Sequence, residues 1–164
     1  MNSIGYDTYD SLLGKLYIVV SNKGVEKVLL SDEEFDEYNK INKISKDEEM
    51  CRDAIRQMDE YFNKRRKYFD LPLNIETTEF RGKVYNELLN IPYGETRSYS
   101  DIAKAINNEK AVRAVGQANR LNNIPIIIPC HRVIGKSGKM VGYAGDKISI
   151  KEILLDLEYN KHKS

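Results

Sequence analysis

The chain has 164 residues, 41% of them hydrophobic and 31% charged, with a formal net charge of +1. That length holds one ordinary domain or two small ones, and the balance excludes a disordered chain. No apolar run approaches the roughly 20 residues of a membrane span, and the opening residues lack the basic-then-apolar pattern of a secretory leader, so the expectation is a cytoplasmic protein with reduced thiols and no membrane partner.

The small net charge conceals a division. Residues 1–77 hold 12 Lys and Arg against 16 Asp and Glu, whereas residues 78–164 hold 14 against 9. A basic second half suits a polyanion partner, although ordinary scatter also produces imbalances of this size.

In chain order, residues 16–20 and 25–30 alternate in the strand manner around Asn22, Lys23 and Gly24, which predicts an antiparallel hairpin or meander. Residues 33–47 are polar and lysine-rich and read as a loop or short strand. Met50, Ala54, Met58 and Tyr61 with Phe62 have helical spacing. Cys51 falls in that helix, where packing is its simplest role. Pro72 marks a linker or edge strand. Phe80, Val84, Leu88 and Ile91 again share a helical face, closed by the turn residues Pro92, Tyr93 and Gly94. Ser98 followed three residues later by Asp101 is a capping-box variant that opens a short helix with Ile102 and Ala103 inward. Residues 111–120 form a second helix. Two short helices joined by a tight turn on the basic half make a helix-turn-helix candidate, a geometry that proteins indifferent to nucleic acid also use. Residues 124–129 read as a buried strand or extended segment, residues 135–146 as a glycine-rich loop, and the last helix turns Ile150, Ile153, Leu154 and Leu157 inward.

The chemistry concentrates at Cys130 and His131, one each of only two cysteines and two histidines. Cys51, Cys130, His131 and His162 have no metal-ligand spacing, so neither zinc nor another cofactor is expected, and a reducing compartment makes a disulfide unexpected. A free thiol with a pKa of about 8.5 is mostly protonated at neutral pH and needs a base or cation to become a nucleophile. In extended backbone, adjacent side chains face opposite ways, so contact between Cys130 and His131 requires a turn or an intervening water. His131 also needs an orienting carboxylate, and Glu152, Asp156 and Glu158 are all available on the last helix. By itself the dipeptide reads more simply as a packed cysteine beside a core histidine.

The wider pattern reads differently. "IPCHRVIG", from Ile128 to Gly135, resembles the active-site signature of the O6-alkylguanine-DNA alkyltransferases, the methylated-DNA–protein-cysteine methyltransferases. "YFNKRRKYFDLPL" is similar to the segment joining that family's two halves. "FRGKVYNELLNIPYGETRSYSDIAKAI" and "AVRAVGQANRLNNIPIIIPCHRVIG" resemble its DNA-binding helices and active-site approach, and "GYAGDKISIKEILLDLE" its substrate loop and final helix. Residues 58–159 carry the likeness in sequence, and residues 1–57 only in their order of strands then helix.

The resemblance implies an α+β architecture. A ribonuclease-H-like strand-and-helix domain would occupy residues 1–77, and a winged-helix-like domain with the helix-turn-helix would occupy residues 78–164. Cys130 would accept the alkyl group. His131 would be the general base, acting through a water, with Glu158 orienting it and Asn122 holding the segment before the cysteine. Tyr99 would donate to the extruded guanine and crowd the adjacent phosphate, and Arg113 would fill the gap left in the duplex. Tyr143 would wall the pocket, and backbone groups around Cys130, Val133 and Ala144 would read the base edge. Ala144 stands where some members have serine, and Asn119 where some have a larger apolar residue. Ala114, with the other small residues of its helix, would allow close approach to a minor groove, and Lys110 and Arg120 would meet phosphates.

The implied partner is double-stranded DNA bearing O6-alkylguanine, with O4-alkylthymine as a second substrate, bound by a monomer without metal or cofactor. The alkylated oxygen lies within the stack, so the base must be flipped out, at a cost of a few kcal/mol. A thioether offers water no leaving group, so each molecule would act once. Three rivals remain at this stage. A cysteine hydrolase would use the same pair but turn over. A non-catalytic lesion binder would not need Cys130. A redox sensor would react with peroxide without DNA.

Overall fold

Alternation at the start of the chain produces a meander. In the computed structural model, which describes residues 3–135 and 148–159, strand β1 (Ile4–Ser11) pairs antiparallel with β2 (Gly14–Ser21), and β2 with β3 (Gly24–Leu29). β2 is buried from Leu16 to Ser21, which is why its sequence reads as a continuous apolar run rather than a clean alternation. Gly24 opens β3 at φ 131°, and a Cβ there would stand 2.4 Å from the Pro72 carbonyl oxygen, so only glycine fits where this later segment crosses the turn.

The polar stretch after the meander departs from expectation. It is helix α1 (Asp32–Asn42) followed by the two-residue strand β4 (Ser45–Lys46), which runs parallel to β1 and completes the order β3-β2-β1-β4. Ser31 caps α1, its Oγ accepting from the Glu34 backbone N–H at 3.1 Å, and three acidic residues occupy the first turn. Only Phe35 of this helix is buried, stacked on Tyr17 with centroids 4.3 Å apart. End signals rather than an apolar stripe therefore define α1. Helix α2 (Arg52–Phe62) follows the predicted spacing and buries Ala54, Met58 and Tyr61, with Cys51 at its N-cap.

The chain divides into two units, Met1–Ile75 and Glu76–Ser164. The second is built on helix α3 (Glu79–Leu89), capped by Thr78, and the pair α4 (Tyr99–Ala105) and α5 (Val112–Arg120). Ser98 and Asp101 form the reciprocal capping box that their spacing predicts. Val84, Leu88, Ile102, Ala103, Val115 and Ala118 are buried in this unit; burying a side chain of leucine size is worth about 1.5–3 kcal/mol. Tyr85 crosses from α3 to donate its hydroxyl to the Ala118 carbonyl at 2.8 Å. Helix α6 (Ile148–Tyr159) closes the described chain. Among the described residues no helix is long and apolar enough to cross a membrane.

Candidate active site

Residues 124–129 form neither the strand nor the extended segment expected. Pro125 and Pro129 have no N–H for a ladder, and the segment folds into a buried irregular turn. The Ile128 N–H donates to the Ile124 carbonyl, and Ile126 is held at φ 76°, a conformation a β-branched residue adopts only under constraint. Asn122 supplies part of that constraint. Its amide nitrogen donates to the Ile128 carbonyl and its amide oxygen accepts from the Ile124 N–H, both at 2.9 Å.

This brace delivers the chain into one turn of 3-10 helix, Cys130–Arg132. The backbone at Cys130 and His131 is therefore a turn, not extended, and the two side chains are not opposed across a strand. The chain leaves through β6 (Val133–Ile134), which pairs in parallel with β5 (Arg97–Ser98) at the entry to α4. That pairing ties Tyr99, the first residue of α4, to the Cys130 turn.

His131 is wholly buried, with Nε2 2.6 Å from Glu158 Oε2. An ionised carboxylate can only accept, so Nε2 carries a proton, and in the neutral ring Nδ1 is left as the acceptor. That Nδ1 has no hydrogen-bond partner among the described residues. Burial opposes the charge on Glu158, but His131 and Arg132 outweigh it and hold the carboxyl well below the ordinary range. Burial also pushes the His131 imidazole down; Glu158 works against this, while Arg132 and Lys151 reinforce it.

Asn119, buried on α5, donates from its amide nitrogen to the Cys130 carbonyl at 3.2 Å and leaves its amide oxygen without a partner among the described residues. Tyr99 is half-buried. Burial pushes its hydroxyl up to about 12, against the Asn119 hydrogen bond and with the Cys130 sulfur. Cys130, His131, Glu158, Asn119, Val133 and Tyr99 thus share one buried neighbourhood, braced by Asn122. Arg113, Ala114, Lys110 and Arg120 lie elsewhere, exposed on or beside α5. Tyr143 and Ala144 fall outside the described residues.

Two residues join the site that sequence reasoning missed. Arg132 donates from Nε to Glu158 Oε1 at 2.8 Å, from Nη2 to Oε2 at 3.0 Å, and from Nη1 to the Ile91 carbonyl at 2.7 Å, with its guanidinium over the Tyr93 ring. Lys151 is wholly buried, donates from Nζ to the Val133 carbonyl at 2.5 Å and lies 5.8 Å from the Tyr99 ring centroid. The available signal was spacing on α6, where Lys151, Leu154 and Glu158 fall on one helical face with an apolar residue at its centre.

Cys51 has none of this. It lies in the other unit with its thiol pushed up to about 12, chiefly by burial, and its Sγ is 3.7 Å from the Ile18 carbonyl it donates to. Among the described residues no group of three or more His, Cys, Asp and Glu side chains could hold a metal ion.

Comparison with known proteins gives the same division of the chain. Residues 4–75 match the family described as 6-O-methylguanine DNA methyltransferase, ribonuclease-like domain, and residues 79–160 match its DNA binding domain. A constitutive methylated-DNA–protein-cysteine methyltransferase of Bacillus subtilis is 44% identical over 160 residues, 96% of this chain and 97% of the relative. One from Methanosarcina acetivorans is 57% identical over 111 residues, 68% and 70% of the two chains. The crystal structure of the Mycobacterium tuberculosis O6-methylguanine methyltransferase superposes with a TM-score of 0.87 at 39% identity, covering 96% of this chain and 94% of that one. A structure of Mycobacterium tuberculosis OGT in complex with DNA gives 0.85 at 39% identity, over 94% and 92%. With both halves matched in order and the Bacillus subtilis relative aligned almost end to end, the chain belongs to the methylated-DNA–protein-cysteine methyltransferase family.

Proposed function

We propose that Cys130 is the atom-accepting residue of this methyltransferase: its sulfur takes the alkyl group from O6-alkylguanine in double-stranded DNA, and from O4-alkylthymine as a second substrate, reversing the damage directly. The observation that carries the assignment is the placement of Cys130 in one tight turn with a buried histidine whose Nδ1 has no hydrogen-bond partner among the described residues and whose Nε2 is fixed by Glu158.

The thiol proton passes through a bridging water to His131 Nδ1, and the resulting imidazolium is stabilised by Glu158. The thiolate attacks the alkyl carbon. A carbon–sulfur bond forms as the carbon–oxygen bond breaks, and the electron pair stays on O6 of the guanine, whose ring accepts a hydrogen bond from the Tyr99 hydroxyl; the proton that left Cys130 passes from His131 through water to neutralise the guanine. Val133 and Asn119 border the base. The DNA is held in its minor groove against α5, with Ala114 permitting close approach, Lys110 and Arg120 on phosphates, and Arg113 in the space the flipped base vacates. The protein works as a monomer in the cytoplasm, where its thiols stay reduced.

The test is mass spectrometry of the Cys130 peptide after mixing with a duplex containing O6-methylguanine. A single methyl on Cys130, formed once per molecule, is expected. An unmodified Cys130, or repeated turnover of the kind a cysteine hydrolase shows, overturns the reading. Cys130→Ser should abolish transfer and leave duplex binding intact; loss of both would make the cysteine structural.

A further inference from the structure

The proton relay just described gives no role to the strongest cation beside it. Arg132 is buried, and a buried guanidinium with both fork contacts on one carboxylate is a specific arrangement rather than a surface ion pair. Glu158 also accepts from His131 Nε2 through the same Oε2 atom that meets Arg132 Nη2. One carboxylate therefore serves two partners, and the charge count decides which of them carries a proton.

With Glu158 ionised and Arg132 protonated, the two charges cancel, and the pair leaves no negative charge to balance a second proton on His131. A further proton on the ring would place an uncompensated charge where His131 and the Glu158 side chain have no exposed surface. Every charged group near the ring bears on this count. Lys151 and Glu158 face it from α6, Arg132 and Cys130 from its own turn, and Tyr93 from the segment after α3 through its contact with Arg132. Lys151 opposes a second proton as Arg132 does. Without Arg132, Glu158 would lose a charged donor from each of its oxygens, and the Glu158–His131 pair would draw a proton from solvent.

We propose that Arg132 is a positioning residue that reserves His131 Nδ1: by occupying both oxygens of Glu158 it keeps the imidazole neutral, protonated on Nε2 alone, until the Cys130 proton arrives. Transfer of that proton leaves the total charge unchanged, because the imidazolium is matched by the thiolate. Glu158 thereby orients the base without prematurely charging it. This inference rests on the reading of His131 as the proton acceptor for Cys130, but its test does not depend on alkyl transfer.

The experiment is nitrogen NMR of the full chain labelled at histidine. There are two histidines, so a His162→Gln variant assigns the signals. At pH 7 the wild type should show His131 with one protonated and one bare ring nitrogen. In Arg132→Met the Glu158–His131 pair should take up a proton, raising the titration midpoint by about one pH unit or more, the usual effect of unbalancing a close charge. Arg132→Lys keeps a charge but cannot occupy both oxygens, so its midpoint should lie above the wild type and below that of the methionine variant, and it remains informative if the methionine variant does not fold. A charged His131 in the wild type at pH 7 overturns the proposal, as does a midpoint in Arg132→Lys or a folded Arg132→Met that contradicts this order. Methylation of Cys130 alongside a charged resting His131 would sink this inference alone. An unmodified Cys130 beside a neutral His131 would sink the acceptor assignment and leave the role of Arg132 standing.

Discussion

Lys151 occupies a position where a helix normally places an aliphatic side chain, and burial pushes its ammonium down to about 8, with Cys130 pulling the other way. That pull is reciprocal: an ammonium near the sulfur favours the thiolate as much as the thiolate favours the ammonium. Two roles are thus combined in one atom, a hydrogen bond that fixes the Val133 carbonyl and a charge that assists the thiol. They separate experimentally. Lys151→Gln keeps a donor and removes the charge, so the thiol of the variant should ionise about one pH unit higher, with about tenfold less thiolate at pH 7. Alkylation of Cys130 by iodoacetamide should slow accordingly at pH 7 and recover fully in more alkaline buffer. A loss that is the same at every pH would leave Lys151 with a structural role only. Arginine and lysine are residues a sequence reader assigns to the surface, which is why Arg132, inside the most diagnostic motif of the chain, and Lys151 both escaped notice while the Cys130–His131 adjacency did not.

Among the elements, α5 has two faces with two tasks. Val115, Ala118 and Asn119 point inward, Asn119 toward the Cys130 carbonyl, while Arg113, Gln117 and Arg120 lie on the opposite, exposed face at helical spacing. On the proposed reading, Arg113→Ala should slow repair of a duplex lesion by about tenfold, about 1.4 kcal/mol of a flipping cost of a few kcal/mol, and leave reaction with the free alkylated base nearly unchanged. Comparable losses with both substrates would remove Arg113 from the duplex. This helix and its partner α4 were readable because Ser98 and Asp101 announce a start and an apolar face follows. α1 was not, because a helix with Phe35 as its one buried side chain has no stripe to detect, and its signature was the Ser31 cap instead. The segment 124–129 is buried as expected but is neither a strand nor extended: apolar runs of that length do not reveal their backbone, and its two prolines are the better guide.

For the whole molecule, the electrostatic stakes differ between the two units. In Met1–Ile75 the ion pairs run between exposed or partly exposed side chains such as Arg65 with Asp59 and Arg56 with Glu60, a kind worth little each. In Glu76–Ser164 the pair Glu158–Arg132 and the His131 ring are buried. The sign of their pH dependence follows from which state binds more protons. Both His131 and Glu158 have folded-state values lowered from the ordinary ones, so at intermediate acidity the unfolded chain binds the extra proton and stability falls as pH falls. For His131 the loss begins near the unfolded value of about 6.5, and for Glu158 near about 4.3. Acidification from neutral pH should therefore loosen Glu76–Ser164 before Met1–Ile75. Hydrogen exchange read residue by residue checks this: between pH 7 and 5, once corrected for intrinsic exchange rates, protection at Tyr85 and Val115 should drop while that at Leu16 and Ile18 holds. His131→Gln, which removes the first titration, should flatten the loss at Tyr85 and Val115. Equal losses in both units, or the same slope in the variant, would show that the buried cluster does not govern acid sensitivity.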